Sequence, residues 1–274
     1  MNEIFSLKDK IILITGGTGL LGRQHAEAIA EAGGVPILLD LDQARCDSFS
    51  SELRKQYSGD SVGYQVNITK EEQVAENCSL ILERFGRIDG LVNNAANNPK
   101  VEDSNEKNFS RLENFPLTAW NDDLAVGLTG AFLCSKHYGF QISKNQNGGV
   151  ILNISSDLGL IAPDQRLYKK SSLPDDMQPV KPVTYSAVKA GLIGLTRYLA
   201  TYWADKNVRC NAICPGGVEN NQNPIFVKEV ISRIPLGRMA RVDEYKGLVR
   251  FLLSDASSYL NGSIISADGG RSVW

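Results

Sequence analysis

The sequence predicts an α/β fold, a doubly wound parallel sheet forming a single domain over residues 1–274. Three observations carry this. Short apolar runs recur along the chain, each followed by a stretch with helical periodicity. The runs are continuously apolar instead of alternating, as strands covered on both faces require. No linker-like or low-complexity tract divides the 274 residues, so the alternation of strand and helix belongs to one sheet with helices on both sides.

The first strand is residues 10–15, Lys-Ile-Ile-Leu-Ile-Thr, ending in a glycine-rich turn at 16–22. A helix then runs to Ala32 and is closed by Gly33-Gly34, glycine being the residue that accepts left-handed geometry past a helix end. Residues 35–40, Val-Pro-Ile-Leu-Leu-Asp, give the second strand. A helix to about Tyr57, a strand near 62–66, a helix over 70–85 and a strand over 88–92 repeat the pattern. A polar excursion at 97–115 precedes a long helix from about 116 to 143 and a strand at 149–154. A second excursion, 157–182, precedes a helix from Val183, a strand at 208–213, further helix and a last strand at 263–267. A third, shorter excursion is 220–224. All three follow strands, so they gather at the carboxyl edge of the sheet, where ligands of such folds bind.

Composition narrows the function. Net charge is −2 with acids and bases interspersed, which argues against nucleic acid or an anionic membrane surface as partner. No long apolar stretch spans a bilayer and the first residues lack a secretory segment, so a soluble, cytoplasmic protein is expected. Cys46, Cys78, Cys134, Cys210 and Cys214 are scattered without a C-x-x-C, which suits reduced thiols and neither disulfides nor zinc. No metal is expected. His25 and His137 stand apart with no carboxylate pattern and read as structural or solvated.

Residues 17–22 read Gly-Thr-Gly-Leu-Leu-Gly, a G-x-G-x-x-G between a strand and a helix. Glycines permit the tight turn and bring the backbone up to a pyrophosphate, whose charge the helix N-terminus favours. Asp40 closes the second strand, where a carboxylate meets the adenosine ribose hydroxyls and repels a 2′-phosphate. No Arg or Lys lies in 16–22 to attract one, so NAD is preferred over NADP. A plain tight turn and a solvated strand end are the alternatives. Further on, Tyr185 and Lys189 are four apart on a helix and share its face. A phenol with a pKa near ~10 is a poor base at neutral pH, and a fixed cation beside it favours the phenolate. An ordinary buried aromatic with a solvated lysine has the same spacing, so the pair takes its meaning from its company.

That company resembles the short-chain dehydrogenase/reductase family. Thr15-Gly-Gly-Thr-Gly-Leu-Leu-Gly22, Asn93-Asn-Ala-Ala96, Ser156, Tyr185-x-x-x-Lys189, Pro215-Gly216 and Asp268-Gly-Gly270 match it in order, from about Lys8 to Arg271. The resemblance implies a single Rossmann-type domain, a nicotinamide cofactor, and hydride transfer between an alcohol and a ketone. Its catalytic serine, tyrosine and lysine fall on Ser156, Tyr185 and Lys189. Ser156 would hydrogen-bond the reacting oxygen, Tyr185 would carry its proton, and Lys189 would lower the tyrosine pKa and hold the nicotinamide ribose. Its cofactor contacts fall first on Gly16, Thr18, Gly19, Leu20, Leu21 and Gly22, then on Asp40 and Leu41. Further contacts fall on Asn67 and Ile68, on Asn94, Ala95 and Ala96, on Tyr185 and Lys189, and on Pro215, Gly216 and Val218. Asn67 stands where the family usually has an aspartate facing the adenine.

Three features depart from the family. The spacing T-G-x-x-G-x-x-G belongs to its larger sugar-nucleotide branch, although the chain length and Asp268-Gly-Gly favour the single-domain branch. Gly127 replaces an asparagine whose backbone carbonyl holds a water against the lysine; glycine keeps a carbonyl and permits a local helix distortion. Ser156 and Tyr185 are 29 positions apart, far more than is usual, so 157–182 must loop out above the site.

That segment holds Arg166, Lys169, Lys170 and Lys181 against Asp157, Asp164, Asp175 and Asp176, with few aliphatic residues. Such a lid suits a polar, sugar-like substrate with or without an anionic group, and a solvated surface loop is the other reading. The excursion at 97–115 is similarly polar, with Asn97, Asn98, Asn105 and Asn108. The lid pattern also resembles members linked to bacterial surface-sugar or flagellin glycan pathways. The helix from Val183 is apolar all round, which points to burial on two sides, and the family resemblance implies a homodimer or homotetramer built on it. Two rival functions stay open: a sugar-nucleotide epimerase or dehydratase that retains its NAD, and a nucleotide-sensing protein without turnover.

Overall fold

In the computed structural model, which describes residues 3–57, 59–97 and 110–274, seven parallel strands form one sheet. They are β1 Ile11–Thr15, β2 Val35–Asp40, β3 Val62–Gln65, β4 Gly90–Asn93, β5 Gly149–Ile154, β6 Val208–Pro215 and β7 Ile264–Ala267. Their order is β3-β2-β1-β4-β5-β6-β7. The chain winds outward from β1 in one direction and then returns to start again at β4. The gap between β1 and β4 is therefore the switch point, and both strands end there in motif residues.

Periodicity explains the layers. Successive side chains of a strand face opposite sides, and Ile12, Ile14 and Leu38 join one core while Leu13, Ile37 and Leu39 join the other. The first face is covered by α1 Leu20–Glu31 and α2 Gln43–Gln56, through Ala26, Ile29, Cys46, Phe49 and Leu53. The second is covered by α3 Glu71–Phe85, the long helix α4 over 117–142 and α5 Val183–Tyr202, through Val74, Ile81, Tyr138 and Leu199. The remaining helices are α6 Pro224–Ile231 and α7 Lys246–Leu253. All five cysteines are free and buried in these layers.

Local chemistry sets the boundaries. Asp42 caps α2 by accepting from the Arg45 amide at 3.1 Å, and Gly86 ends α3 with φ of 73°. α4 is not a plain helix. It widens into π-turns at Ala125–Thr129 and Ser135–Gly139. A buried polar ladder crosses the sheet and pins it to this helix and the next. Asn93 Nδ2 donates to Asn153 Oδ1 at 2.8 Å and to Ser135 Oγ at 3.2 Å, and Asn153 Nδ2 donates to Thr196 Oγ1 at 2.8 Å. Buried amides are costly unless so paired, which is why these asparagines face one another across β4, β5 and α5. Among the described residues no helix is long and apolar enough to cross a membrane.

Candidate active site

The glycine turn at the end of β1 is shaped by contacts that leave no space for side chains. Gly16 has φ of +62°, and a Cβ on Gly22 would lie 2.1 Å from the Gly16 carbonyl oxygen. Gly19 caps α1, a helix of 12 residues whose first amides open toward the switch point. The turn is braced from β4. Thr15 Oγ1 accepts from the amides of Asn94 and Ala95 at 3.0 Å each, and Asn94 Nδ2 donates to the carbonyls of Thr15 and Gly16 at 2.9 and 3.2 Å. This cradle, closed to any Cβ and lined by amides, fits a pyrophosphate.

Asp40 stands at its rim. Asp40 Oδ2 accepts from the Thr18 amide at 2.9 Å and from Thr18 Oγ1 at 2.7 Å, while Oδ1 accepts from the Leu41 amide at 2.8 Å. Arg45 donates to the Thr18 carbonyl at 2.8 Å, which puts a guanidinium beside the same turn. Sequence reasoning looked for a cation only within 16–22 and missed it; the signal was an arginine in the first turn of the helix after β2. Leu20 and Leu41 are exposed, as contact residues at an open rim would be. Asn67 Oδ1 closes a turn on Thr69 at 3.0 and 2.8 Å, and Ile68 packs where a Cβ on Gly130 would fall. Gly216 hugs Asp268, whose carboxylate accepts from the amides of Gly270 and Ser272, and Val218 bridges to Ala240. Pro215 and Gly216 thus sit at the same sheet edge, with the Asp268-Gly-Gly turn as their support.

Ser156 follows β5 and is 4% exposed. Its hydroxyl donates to Asp157 Oδ1 at 2.8 Å and accepts from the Leu158 amide at 3.2 Å. Asp157 in turn is held by Arg271 at 2.8 Å, with side-chain exposures of 4% and 10%, a buried ion pair. Asp157 and Arg271 were not singled out as site residues from sequence, because the pair joins positions far apart in the chain. Gly159 is required three residues after Ser156, since a Cβ there would lie 2.8 Å from Ser155 Oγ and 2.9 Å from the Lys189 carbonyl. That approach brings the turn after Ser156 against the first turns of α5, and explains the Ser-x-x-Gly spacing.

Tyr185 stands on α5, in its first turn. Burial raises its pKa above the ordinary phenol value, against the Ser156 hydrogen bond, which lowers it; Asp157 adds to the rise and Arg271 opposes it. This differs from the expectation that Lys189 lowers the phenol. Lys189 Nζ lies 5.9 Å from the ring centre and donates to the Ile154 carbonyl at 2.8 Å. Burial brings Lys189 itself down to about 8. The turn after β5 and the start of α5 thus bring Ser156, Tyr185 and Lys189 to the carboxyl edge of the sheet.

Gly127 lies in the first π-turn of α4, so the distortion expected of this position is present. A Cβ there would sit 2.4 Å from Val188 Cγ1. Val188, one residue before Lys189, occupies the space that a side chain at 127 would need. The replacement of asparagine by glycine thus goes together with a valine on the facing helix.

The lid at 157–182 is docked, not solvated. Leu167 is buried against Val230, Ile234 and Met239, with Tyr168 against Phe226 at 5.8 Å between ring centres. Asp164 bridges to Arg233 at 2.7 Å, and the buried Gln178 bonds the backbone of Lys170 and Leu173. Arg166 is largely exposed and pairs with Asp164 at 2.8 Å, while Lys169 and Lys170 are exposed. Of the lid's cations, Lys181 faces the candidate site, in a cavity lined also by Asn97, Asp123, Thr184, Tyr185 and Lys189. Asn98, Asn105 and Asn108 lie outside the described residues.

The glycine turn lies at the switch point of a doubly wound sheet, on the carboxyl edge that also carries Ser156, Tyr185 and Lys189. A family model described as enoyl-(acyl carrier protein) reductase matches residues 19–272, and the chain belongs to the short-chain dehydrogenase/reductase family. It is 33% identical to a 3-oxoacyl-[acyl-carrier-protein] reductase of Aquifex aeolicus, over 96% of this chain and 98% of that one. It is 27% identical to the post-translational flagellin modification protein A of Campylobacter coli, over 96% and 98%. Among solved structures, a gluconate 5-dehydrogenase from Burkholderia cenocepacia in complex with NADP and tartrate superposes with TM-score 0.85 at 25% identity, over 99% and 98% of the chains. An NAD+-bound xylitol dehydrogenase superposes with TM-score 0.83 at 25% identity, over 96% and 99%.

Proposed function

We propose that this chain is an NAD-dependent dehydrogenase or reductase acting on a CH–OH group of a polar, sugar-like substrate. The observation that carries the reading is the convergence of Ser156, Tyr185 and Lys189 beside the glycine cradle. A bound nicotinamide would supply the hydride acceptor or donor. The turn at 16–22 would hold its pyrophosphate, Asp40 its adenosine ribose and Lys189 its nicotinamide ribose. Tyr185 takes the proton of a substrate hydroxyl during oxidation, or gives one to a carbonyl in reduction. Ser156, its own hydroxyl aimed by Asp157 and the Leu158 amide, fixes the reacting oxygen beside the phenol. Asp40 favours NAD because a ribose phosphate would meet its carboxylate.

The sugar-like substrate is supported by the polar side chains of Asn97, Asp123, Lys181 and Thr184 that line the cavity beside Tyr185, and by the likeness to dehydrogenases described for gluconate and xylitol. The assembly we propose is a homodimer or homotetramer. Its support is a groove of about 760 Å³ along α3, α4 and α5, lined by Phe132, Phe140, Leu195, Tyr198 and Tyr202, too apolar to remain open to water. The test is a panel of polyols, sugar acids and 3-oxoacyl thioesters, read by NAD or NADH absorbance with wild type and Tyr185→Phe. Sugar acids or polyols should turn over best, and Tyr185→Phe should lose 10²–10⁴-fold in kcat with cofactor Kd within a few-fold. A variant keeping more than about a tenth of the rate would remove Tyr185 from the chemistry, and exclusive use of acyl thioesters would remove the sugar.

A further inference from the structure

Asp40 would hold the adenosine ribose, but it has few acceptor positions left to give. A carboxylate only accepts, with about two lone-pair positions on each oxygen. Among the described residues three donors reach it. The Thr18 amide at 2.9 Å and Thr18 Oγ1 at 2.7 Å fill both positions of Oδ2. The Leu41 amide at 2.8 Å takes one position of Oδ1, and one remains there. A ribose with two neighbouring hydroxyls brings two donors.

One of the present donors must yield, and the fold decides which. The Leu41 amide follows directly on β2 and is fixed by the strand. The Thr18 amide belongs to a wedged turn. Arg45 holds the Thr18 carbonyl at 2.8 Å, the Gly19 amide donates to the Gly16 carbonyl at 3.1 Å, and a Cβ on Gly17 would lie 3.1 Å from the Ile14 carbonyl oxygen and from Leu38 Cα. Neither amide leaves without moving the main chain. The Thr18 hydroxyl leaves by rotation about a single side-chain bond.

We propose that Thr18 competes with the dinucleotide for Asp40, so that its hydroxyl limits the grip on the adenosine ribose and keeps the cofactor exchangeable between turnovers. The proposal rests on the reading of Asp40 as the ribose acceptor. One ribose hydroxyl gains the remaining position on Oδ1 in full. The other only replaces the Thr18 hydroxyl, one hydrogen bond for another, and adds little. A threonine at 18 therefore works against a dinucleotide retained through turnover, which an epimerase would require. An aliphatic side chain of the same shape would leave both positions to the ribose and hold it more tightly.

The probes are NADH and its 2′-deoxyadenosine and 3′-deoxyadenosine analogues, titrated into the 274-residue chain and followed by nicotinamide fluorescence. Wild type, Thr18→Val and Thr18→Ser are compared. In wild type one analogue should bind about tenfold or more weakly than NADH, the loss expected for a hydrogen bond to a charged group, and the other within about threefold. Thr18→Val keeps the shape and the amide but not the hydroxyl, and there both analogues should lose about tenfold or more. NADH itself should bind Thr18→Val at least as tightly as wild type and dissociate more slowly in stopped flow. Thr18→Ser, which restores the hydroxyl, should match wild type. Analogue losses that are the same in wild type and Thr18→Val, or NADH weakened more than about threefold in that variant, would overturn the proposal and leave Thr18 an anchor of the turn. If neither analogue differs from NADH in wild type, Asp40 is no ribose acceptor, and the cofactor reading falls together with the proposal. Should Thr18→Val prove unfolded by circular dichroism, Thr18→Ala gives the same comparison.

Discussion

The two halves of the site are built by different means. The cofactor half is made of backbone: Gly16, Gly19 and Gly22 fold one turn, and the amides of Asn94 and Ala95 brace it through Thr15. Its glycines lie within one short turn of the sequence, and each answers a contact that would exclude a side chain. The substrate half is made of side chains that meet from afar. Arg271 reaches Asp157, Arg233 reaches Asp164, and Lys181 reaches over Tyr185. A backbone site is specified by a short motif, whereas a side-chain site is specified by the whole fold and can change with a few surface loops.

This contrast can be broken most forcibly at Arg271. Its replacement by Met strands the Asp157 carboxylate in a site where the pair is almost wholly buried. Breaking such a pair costs about 3 kcal/mol or more. Urea unfolding should show that loss, and turnover should fall further because Ser156 loses its fixed partner. A double change, Arg271→Met with Asp157→Asn, should recover much of the stability. If the single variant unfolds at the wild-type midpoint, the pair does not organise the substrate half.

The cofactor half has its own liability, on the buried side of α1. His25 is 1% exposed, neither ring nitrogen makes a well-formed hydrogen bond, and Asn94 lies close enough only to soften the effect. Burial lowers its pKa from 6.5 to about 4. Between those values the unfolded chain takes up a proton that the folded one refuses, so stability falls as pH drops from 6.5 toward 4. The full loss is about 3 kcal/mol. Unfolding midpoints at pH 7.5 and 4.5 should differ less in His25→Leu than in wild type, with other carboxylates cancelling in the comparison. An identical pH slope in both proteins would show that His25 is not buried as described.

The smallest effect is expected at Asp40, where the two kinds of construction meet. Asp40→Ala removes the anchor of Thr18 along with the ribose acceptor. At about 1 kcal/mol for each lost hydrogen bond, NAD affinity should fall several-fold, and the kcat/KM ratio of NAD to NADP should narrow. Arg45, already beside the Thr18 carbonyl, would be left to favour a ribose phosphate. An unchanged ratio would make Asp40 merely the end of β2.

Most of the sheet was legible in the sequence because each strand is a continuous apolar run bounded by turn residues. The runs at 35–40 and 149–154 coincide with β2 and β5, and the others are displaced by one or two residues. Ser156, Tyr185 and Lys189 could be read as a candidate set because they match the family's motifs in order; the step from Tyr185 to Lys189 is local, whereas Ser156 joins them only through the fold. The lid was not. Its charges suggested a set of substrate contacts, yet Arg166 was drawn off by Asp164, and the buried Leu167, Tyr168 and Gln178 gave no periodic signal. Val188 carried no signal of its own in a helix that is apolar all round, and its place opposite Gly127 needed the approach of two helices to be seen.

The Arg271–Asp157 pair also sets a timetable. A ribosome adding about 5–20 residues per second needs roughly 6–23 s to cover the 114 positions between the partners. Through that interval β1 to β5 and the cofactor cradle can already assemble on the emerging chain, while Ser156 waits without the guanidinium that fixes its neighbour. A nascent chain of this protein would thus complete its glycine turn well before the guanidinium that fixes Asp157 leaves the ribosome.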